Sequence, residues 1–157
     1  MDFSFTISRT NSLNPDFVWL VGLLDKELEG RYGEEQQFFA KFNTIEKIKH
    51  AVVLYADGKP AGCGAFRRYD DERAELKRMY VTPEWRGHRL GRRIITALEE
   101  WASEQFNFLI LETGIKQPEA IRLYEQCGYT RIPNFPPYES VSWSICMQKN
   151  IRGHQKI

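Results

Sequence analysis

The sequence is poor in the residues that staple small proteins or hold metals. Three cysteines (Cys63, Cys127, Cys146) and three histidines (His50, His88, His154) lie scattered along it, with no Cys-x-x-Cys pair. A structural zinc site needs four clustered nitrogen or sulfur ligands, so no metal is expected. An odd, unclustered set of thiols suits a reducing compartment rather than a disulfide scaffold. No apolar run approaches the ~18 residues of a membrane span, and the start "MDFSFTISRT" has neither the basic stretch nor the apolar centre of a signal peptide. Excess charge is missing too: 22 basic against 21 acidic residues leave +1, no global field to draw the chain to nucleic acid or an anionic membrane. The expectation is a cytoplasmic protein with neither of those partners. Repeats, linkers and low-complexity tracts are also lacking, which leads to one domain over 1–157, with a loose tail at 150–157.

What is present is a succession of periodic segments. "FSFTISRT" alternates like an edge strand. Asn14 and Pro15 open a helix that runs to Gly30 or Gly33, and a second helical piece is expected over about Glu34 to Phe42, with "TIEKIK" ambiguous. Gly58 joins two strands as a hairpin, and "ERAELKRMYVTP" follows as the third of three consecutive antiparallel strands. A helix from about Leu90 to Glu104 carries Leu90, Ile94, Leu98 and Trp101 on one face. The continuous apolar run "FNFLILET" reads as a strand buried on both faces and paired in parallel. "QPEAIRLYEQCG" is a short helix closed by Gly128, and strands at "YTRI" and "SVSWSICMQK" complete the chain.

Between the third of those strands and the long helix stands Arg86-Gly87-His88-Arg89-Leu90-Gly91. Backbone N–H groups at a helix start have no intrahelical acceptor and lie at the positive end of the dipole, so the stretch reads as a cradle for an anion, with Arg92 and Arg93 adding charge. It is neither a P-loop nor a dinucleotide fingerprint. A plain basic turn on a solvated helix start is the competing reading.

The chain around this stretch resembles the GCN5-related N-acetyltransferase (GNAT) superfamily, whose signature is Gln/Arg-x-x-Gly-x-Gly/Ala. Arg86 and Gly91 fill the outer positions and Arg89 stands where the middle glycine is usual; "PEAIRLYEQCGY" is similar to the second signature through Ala120, Leu123, Tyr124, Gly128 and Tyr129, with Gln117 in place of its asparagine. The resemblance implies a mixed α/β fold, with a mostly antiparallel central sheet of about seven strands and about four helices on both faces. It implies acetyl-CoA as co-substrate, its pyrophosphate on Arg86, Gly87, His88, Arg89, Leu90, Gly91 and Arg92, with Gln117 nearby and the acetyl group and pantetheine arm along Met79, Tyr80 and Val81. Tyr124 matches the tyrosine that sits by the coenzyme sulfur as general acid. Glu75 has the spacing ahead of Arg86 at which histone acetyltransferases carry their basic glutamate; a surface partner for Arg67 or Arg68 is the competing role. Strand parity puts Glu75, Lys77, Met79 and Val81 on one face unless a bulge intervenes.

Making an amide from a thioester requires a neutral amine, which is mostly protonated near pH 7, so a base is needed. The resemblance implies an acceptor pocket built from the first two helices and the loop before the last strand, where Glu27, Glu29, Glu34 and Glu35 are candidates to attract a cationic amine, Arg31, Tyr32 and Arg67 to hold a carboxylate, and Tyr32 and Tyr138 to form the rim. Ordinary solvated charges are the competing reading. A small-molecule or amino-acid-like amine is the expected acceptor, with a protein N-terminus or lysine, or a coenzyme A sensor without turnover, as alternatives. A homodimer is compatible with all of these.

Overall fold

The computed structural model describes residues 2–33 and 48–155. The elements run β1 Phe5–Thr10, α1 Pro15–Tyr32, β2 His50–Ala56, β3 Lys59–Arg68, β4 Arg73–Val81, a 3-10 turn Pro83–Trp85, α2 Leu90–Ala102, β5 Phe108–Gly114, α3 Pro118–Gln126, β6 Thr130–Ile132, β7 Ser144–Asn150 and a 3-10 turn Arg152–His154. Seven strands form one mixed, mostly antiparallel sheet in the order β1-β2-β3-β4-β5-β7-β6. Three α-helices lie among the described residues, against an expectation of about four; the missing one, Glu34 to Phe42, falls outside them, as does most of "TIEKIK". No helix among the described residues is long and apolar enough to cross a membrane.

Contacts divide the chain into two compact units, one of residues 1–67 and 77–98 and one of residues 68–76 and 99–157. In the first, Asn14 caps α1 through its side-chain oxygen, which accepts from the Asp16 and Phe17 N–H groups at 2.8 and 3.3 Å. Gly33 (φ 56°) ends the helix. Phe17, Leu20, Val21 and Leu24, at helical spacing, pack with Ala51, Val53, Cys63 and Ala65 of β2 and β3 into a buried core. The hairpin between β2 and β3 turns through Asp57 (φ 50°) and Gly58 (φ 82°), a two-residue turn whose positive φ values match the twist of the strands.

In the second unit β5 pairs in parallel with β4 over Arg73–Glu75 and Phe108–Ile110, as its unbroken apolar run implies. β7 pairs antiparallel with β5 on one side and β6 on the other. The tail expectation is corrected here. Ile151 is fully buried, its N–H donates to Asn107 O at 2.9 Å, and His154 Nε2 lies 3.0 Å from the buried Glu99 carboxylate. Residues 151–155 are therefore docked. The sequence offers no sign of this, because the partners Glu99 and Asn107 are distant in the chain.

Candidate active site

The loop read as an anion cradle lies in the first unit. β4 ends at Val81, Thr82 N–H donates to Ala61 O at 2.8 Å, and the 3-10 turn closes with Arg86 N–H donating to Pro83 O at 3.3 Å. The chain then takes positive φ at Gly87 (89°) and at Arg89 (60°) before α2 begins at Leu90. Arg89 thus adopts the left-handed conformation that glycine supplies at that place in the signature, at a steric cost on the order of 1–2 kcal/mol. Residues 86–89 are exposed, and no described residue accepts from the N–H groups of Gly87, His88 or Arg89. The loop therefore holds out consecutive donors at a helix N-terminus, a fit to a phosphate.

Arg86 also makes contacts within the chain. Its Nε donates to Val81 O at 2.9 Å, its Nη2 pairs with Glu27 at 3.0 Å, and its guanidinium lies 5.4 Å from the Tyr80 ring centre. The side chain ties the loop back to β4 and α1, and Glu27, expected to attract an acceptor amine, is engaged in that tie. The His88 ring joins Phe3 and Trp85 in edge-to-face contacts at 5.5 and 5.3 Å, and Arg93 lies over Phe5 at 5.2 Å. Arg92 is exposed on the first turn of α2.

Arg78 interrupts the extended backbone of β4 with a φ of 59°. Ala74 to Lys77 are all buried, Arg78, Met79 and Val81 are half-buried, and Tyr80 is buried. Arg78, which sequence reading passed over, is half-buried with its side chain 7% exposed and Nη1 2.8 Å from Asp25 on α1, and its carbonyl accepts from the Cys63 thiol at 3.3 Å. Of the acceptor candidates in this unit, Arg31 lies in the last turn of α1, Arg67 is exposed at the end of β3, and Tyr32 is buried.

Both catalytic candidates lie in the second unit. Glu75 is 1% exposed on β4. Arg68 lies over Phe106 and reaches Asp71. Tyr124 is buried on α3, its ring edge-to-face with Tyr129 at 5.9 Å. Burial, and then the charges of Cys127 and Glu112, push its hydroxyl well above the ordinary phenol range. Gln117 is the N-cap residue of α3, its N–H donating to Gly114 O at 2.9 Å. Tyr138 is 1% exposed and packs edge-to-face on Phe135 at 5.6 Å, a core ring rather than a rim one. The side chain missed from sequence is Glu112, on β5, whose Oε2 accepts from the Ser144 hydroxyl at 2.7 Å. Its signal was there: a carboxylate within the otherwise apolar run "FLILET".

The fold is a mixed seven-stranded sheet with a donor-rich basic loop at the head of a helix. The model of the Acetyltransferase (GNAT) family matches residues 13–129. An IAA acetyltransferase of Azospirillum brasilense is 34% identical over 148 residues, spanning 92% of this chain and 96% of that protein. The crystal structure of a Klebsiella pneumoniae protein assigned as an acyl-CoA N-acyltransferase superposes with a TM-score of 0.79 at 30% identity, over 94% of this chain and 97% of that one. A GNAT acetyltransferase of Elizabethkingia anophelis, solved with acetyl-CoA bound, shares the fold, with a TM-score of 0.69 at 16% identity over 93% and 97% of the two chains. The chain belongs to the acetyltransferase (GNAT) family.

Proposed function

We propose that the protein moves the acetyl group of acetyl-CoA to the amine of a small-molecule acceptor by direct attack. The observation that carries this reading is the exposed loop from Gly87 to Arg89, whose left-handed turns at Gly87 and Arg89 and backbone N–H groups without a described acceptor support phosphate binding there. The nearly full-length similarity to an IAA acetyltransferase supports an acceptor that is small.

In this reading Glu75 takes one proton from the acceptor ammonium. The amine then attacks the thioester carbonyl, the C–N bond forms and the C–S bond breaks, while N–H groups at Met79 or Val81 stabilise the developing oxyanion. The nitrogen's remaining excess proton balances the departing thiolate. Tyr124 is a poor source for it, since an ordinary phenol near pKa ~10 is already weaker than a thiol near ~8.5 and burial moves Tyr124 further up. Its part is a hydrogen bond to the thiolate, with solvent as the final proton donor.

An assay of thiol release from acetyl-CoA across amines, amino acids, polyamines and peptides tests the reading. At least one small amine is expected to drive release, and Glu75→Gln should cut turnover by about 10²- to 10⁴-fold at neutral pH, recovering as rising pH supplies free amine. Release driven by peptides alone would overturn the acceptor class, and unchanged turnover in Glu75→Gln would remove the base.

A further inference from the structure

A base as buried as Glu75 must pass its proton on. The strand register indicates where. Residues paired across a sheet share a face, and alternate residues along a strand return to it. Glu75 pairs with Ile110, so Glu75, Ile110 and Glu112 share one face; Gln148 and Cys146, opposite Ile110 and Glu112, share it too. The other face holds Leu109 and its partner Lys149, and Lys149 reaches Glu99 at 2.9 Å and the Tyr129 ring at 5.7 Å. Glu75 and Glu112 are thus on the face away from Tyr129, one strand across and two residues along, a backbone separation of about 8 Å that two glutamate side chains and one water can bridge. The Cys146 thiol, raised to about 11 chiefly by burial, senses the negative charge of both carboxylates. Glu112 is only half-buried where Glu75 is buried, and the Ser144 hydroxyl fixes one of its oxygens.

We propose that Glu112 is a second carboxylate in the proton path, taking the acceptor's proton from Glu75 and releasing it to solvent, with Ser144 as its positioning residue. The transfer balances: the Glu75 carboxyl returns to carboxylate as Glu112 becomes the acid, and Glu112 is then deprotonated by water or buffer. The proposal rests on the acetyl-transfer reading above.

The test uses the full chain, acetyl-CoA and the amine that the wild type acetylates fastest. Glu112→Gln keeps shape and the ability to accept from Ser144 but cannot take a proton. It should lower kcat about 10- to 100-fold with the KM for acetyl-CoA and the calorimetric affinity for coenzyme A unchanged, and millimolar imidazole should restore part of the loss. Because the two carboxylates act in series, the double variant Glu75→Gln/Glu112→Gln should be no slower than Glu75→Gln. Ser144→Ala should lower kcat less than Glu112→Gln and add nothing to it. Wild-type kcat in Glu112→Gln, or losses that multiply in the double variant, would overturn the relay while the acetyl-transfer reading stands. A wild type that acetylates no amine would bring down both.

Discussion

Tyr124 shows what one buried hydroxyl is asked to do. Its ring packs against Tyr129 and its N–H and carbonyl belong to α3, so the ring is structural whatever the hydroxyl does. Tyr124→Phe keeps the ring and removes the hydrogen bond. Coenzyme A affinity by calorimetry and the thermal midpoint should stay near wild type, while acetyl transfer slows by about an order of magnitude or more. A thioester with a more acidic leaving thiol should shrink the defect, because its thiolate needs less help; equal turnover with both donors would leave the hydroxyl without a catalytic part. The second signature made Tyr124 legible in the sequence. Its burial was not, because this depends on how α3 packs against elements that are not its neighbours in the chain. Arg89 is the opposite case: the departure from glycine is plain in the letters, and only the backbone shows that arginine takes up glycine's conformation.

At the level of elements, α2 lies close on β3 because β3 has glycine where the helix crosses. A Cβ at Gly62 would stand 2.8 Å from Ile94 Cδ1 and 2.9 Å from the Tyr80 carbonyl oxygen; one at Gly64 would meet Met79, Ile94 and Leu98 side-chain atoms at 2.6–2.8 Å. The Tyr80 carbonyl is backbone of β4 and cannot swing aside. Gly62→Ala should therefore lose about 1–3 kcal/mol of stability in urea unfolding and weaken coenzyme A binding by displacing the end of β4. Gly22, on the exposed side of α1 with nothing within 4 Å of a Cβ, is the matched control. Gly22→Ala should gain up to about 1 kcal/mol through helix propensity and a less flexible unfolded chain. A stabilised Gly62→Ala would show that β4 and α2 have more room than the geometry gives. Sequence periodicity located α2 to within a few residues and identified its apolar stripe, because that pattern is local. The glycines of β3 carried no such message until the helix was laid over them.

Across the whole molecule, both units bury weak acids in their neutral form. In the first, burial raises the Cys63 thiol to about 12; in the second, burial raises Cys146 to about 11 and holds Tyr124 and Tyr129 up. The unfolded chain ionises these groups at their ordinary values, thiols near ~8.5 and phenols near ~10, while the folded chain still holds the protons. Stability from these groups is thus complete below about pH 8.5 and falls as pH rises toward 11–12. Urea midpoints from pH 7 to 11 should fall at the alkaline end, and Cys63→Ala should flatten the fall; midpoints constant to pH 11 would contradict the burial. The sequence by itself determined the family, the order and type of nearly all the described elements, the N-cap of α1, the hairpin at Gly58 and the place of the basic glycine loop, since each of these is written in neighbouring residues through periodicity, φ preference and spacing. Tertiary structure alone decided that Glu27 closes on Arg86, that Glu99 holds the tail, and that Ser144 comes to Glu112 because β7 inserts between β5 and β6. Those partners are tens of residues apart, and strand order, which no local pattern encodes, is what brings them within a hydrogen bond of one another.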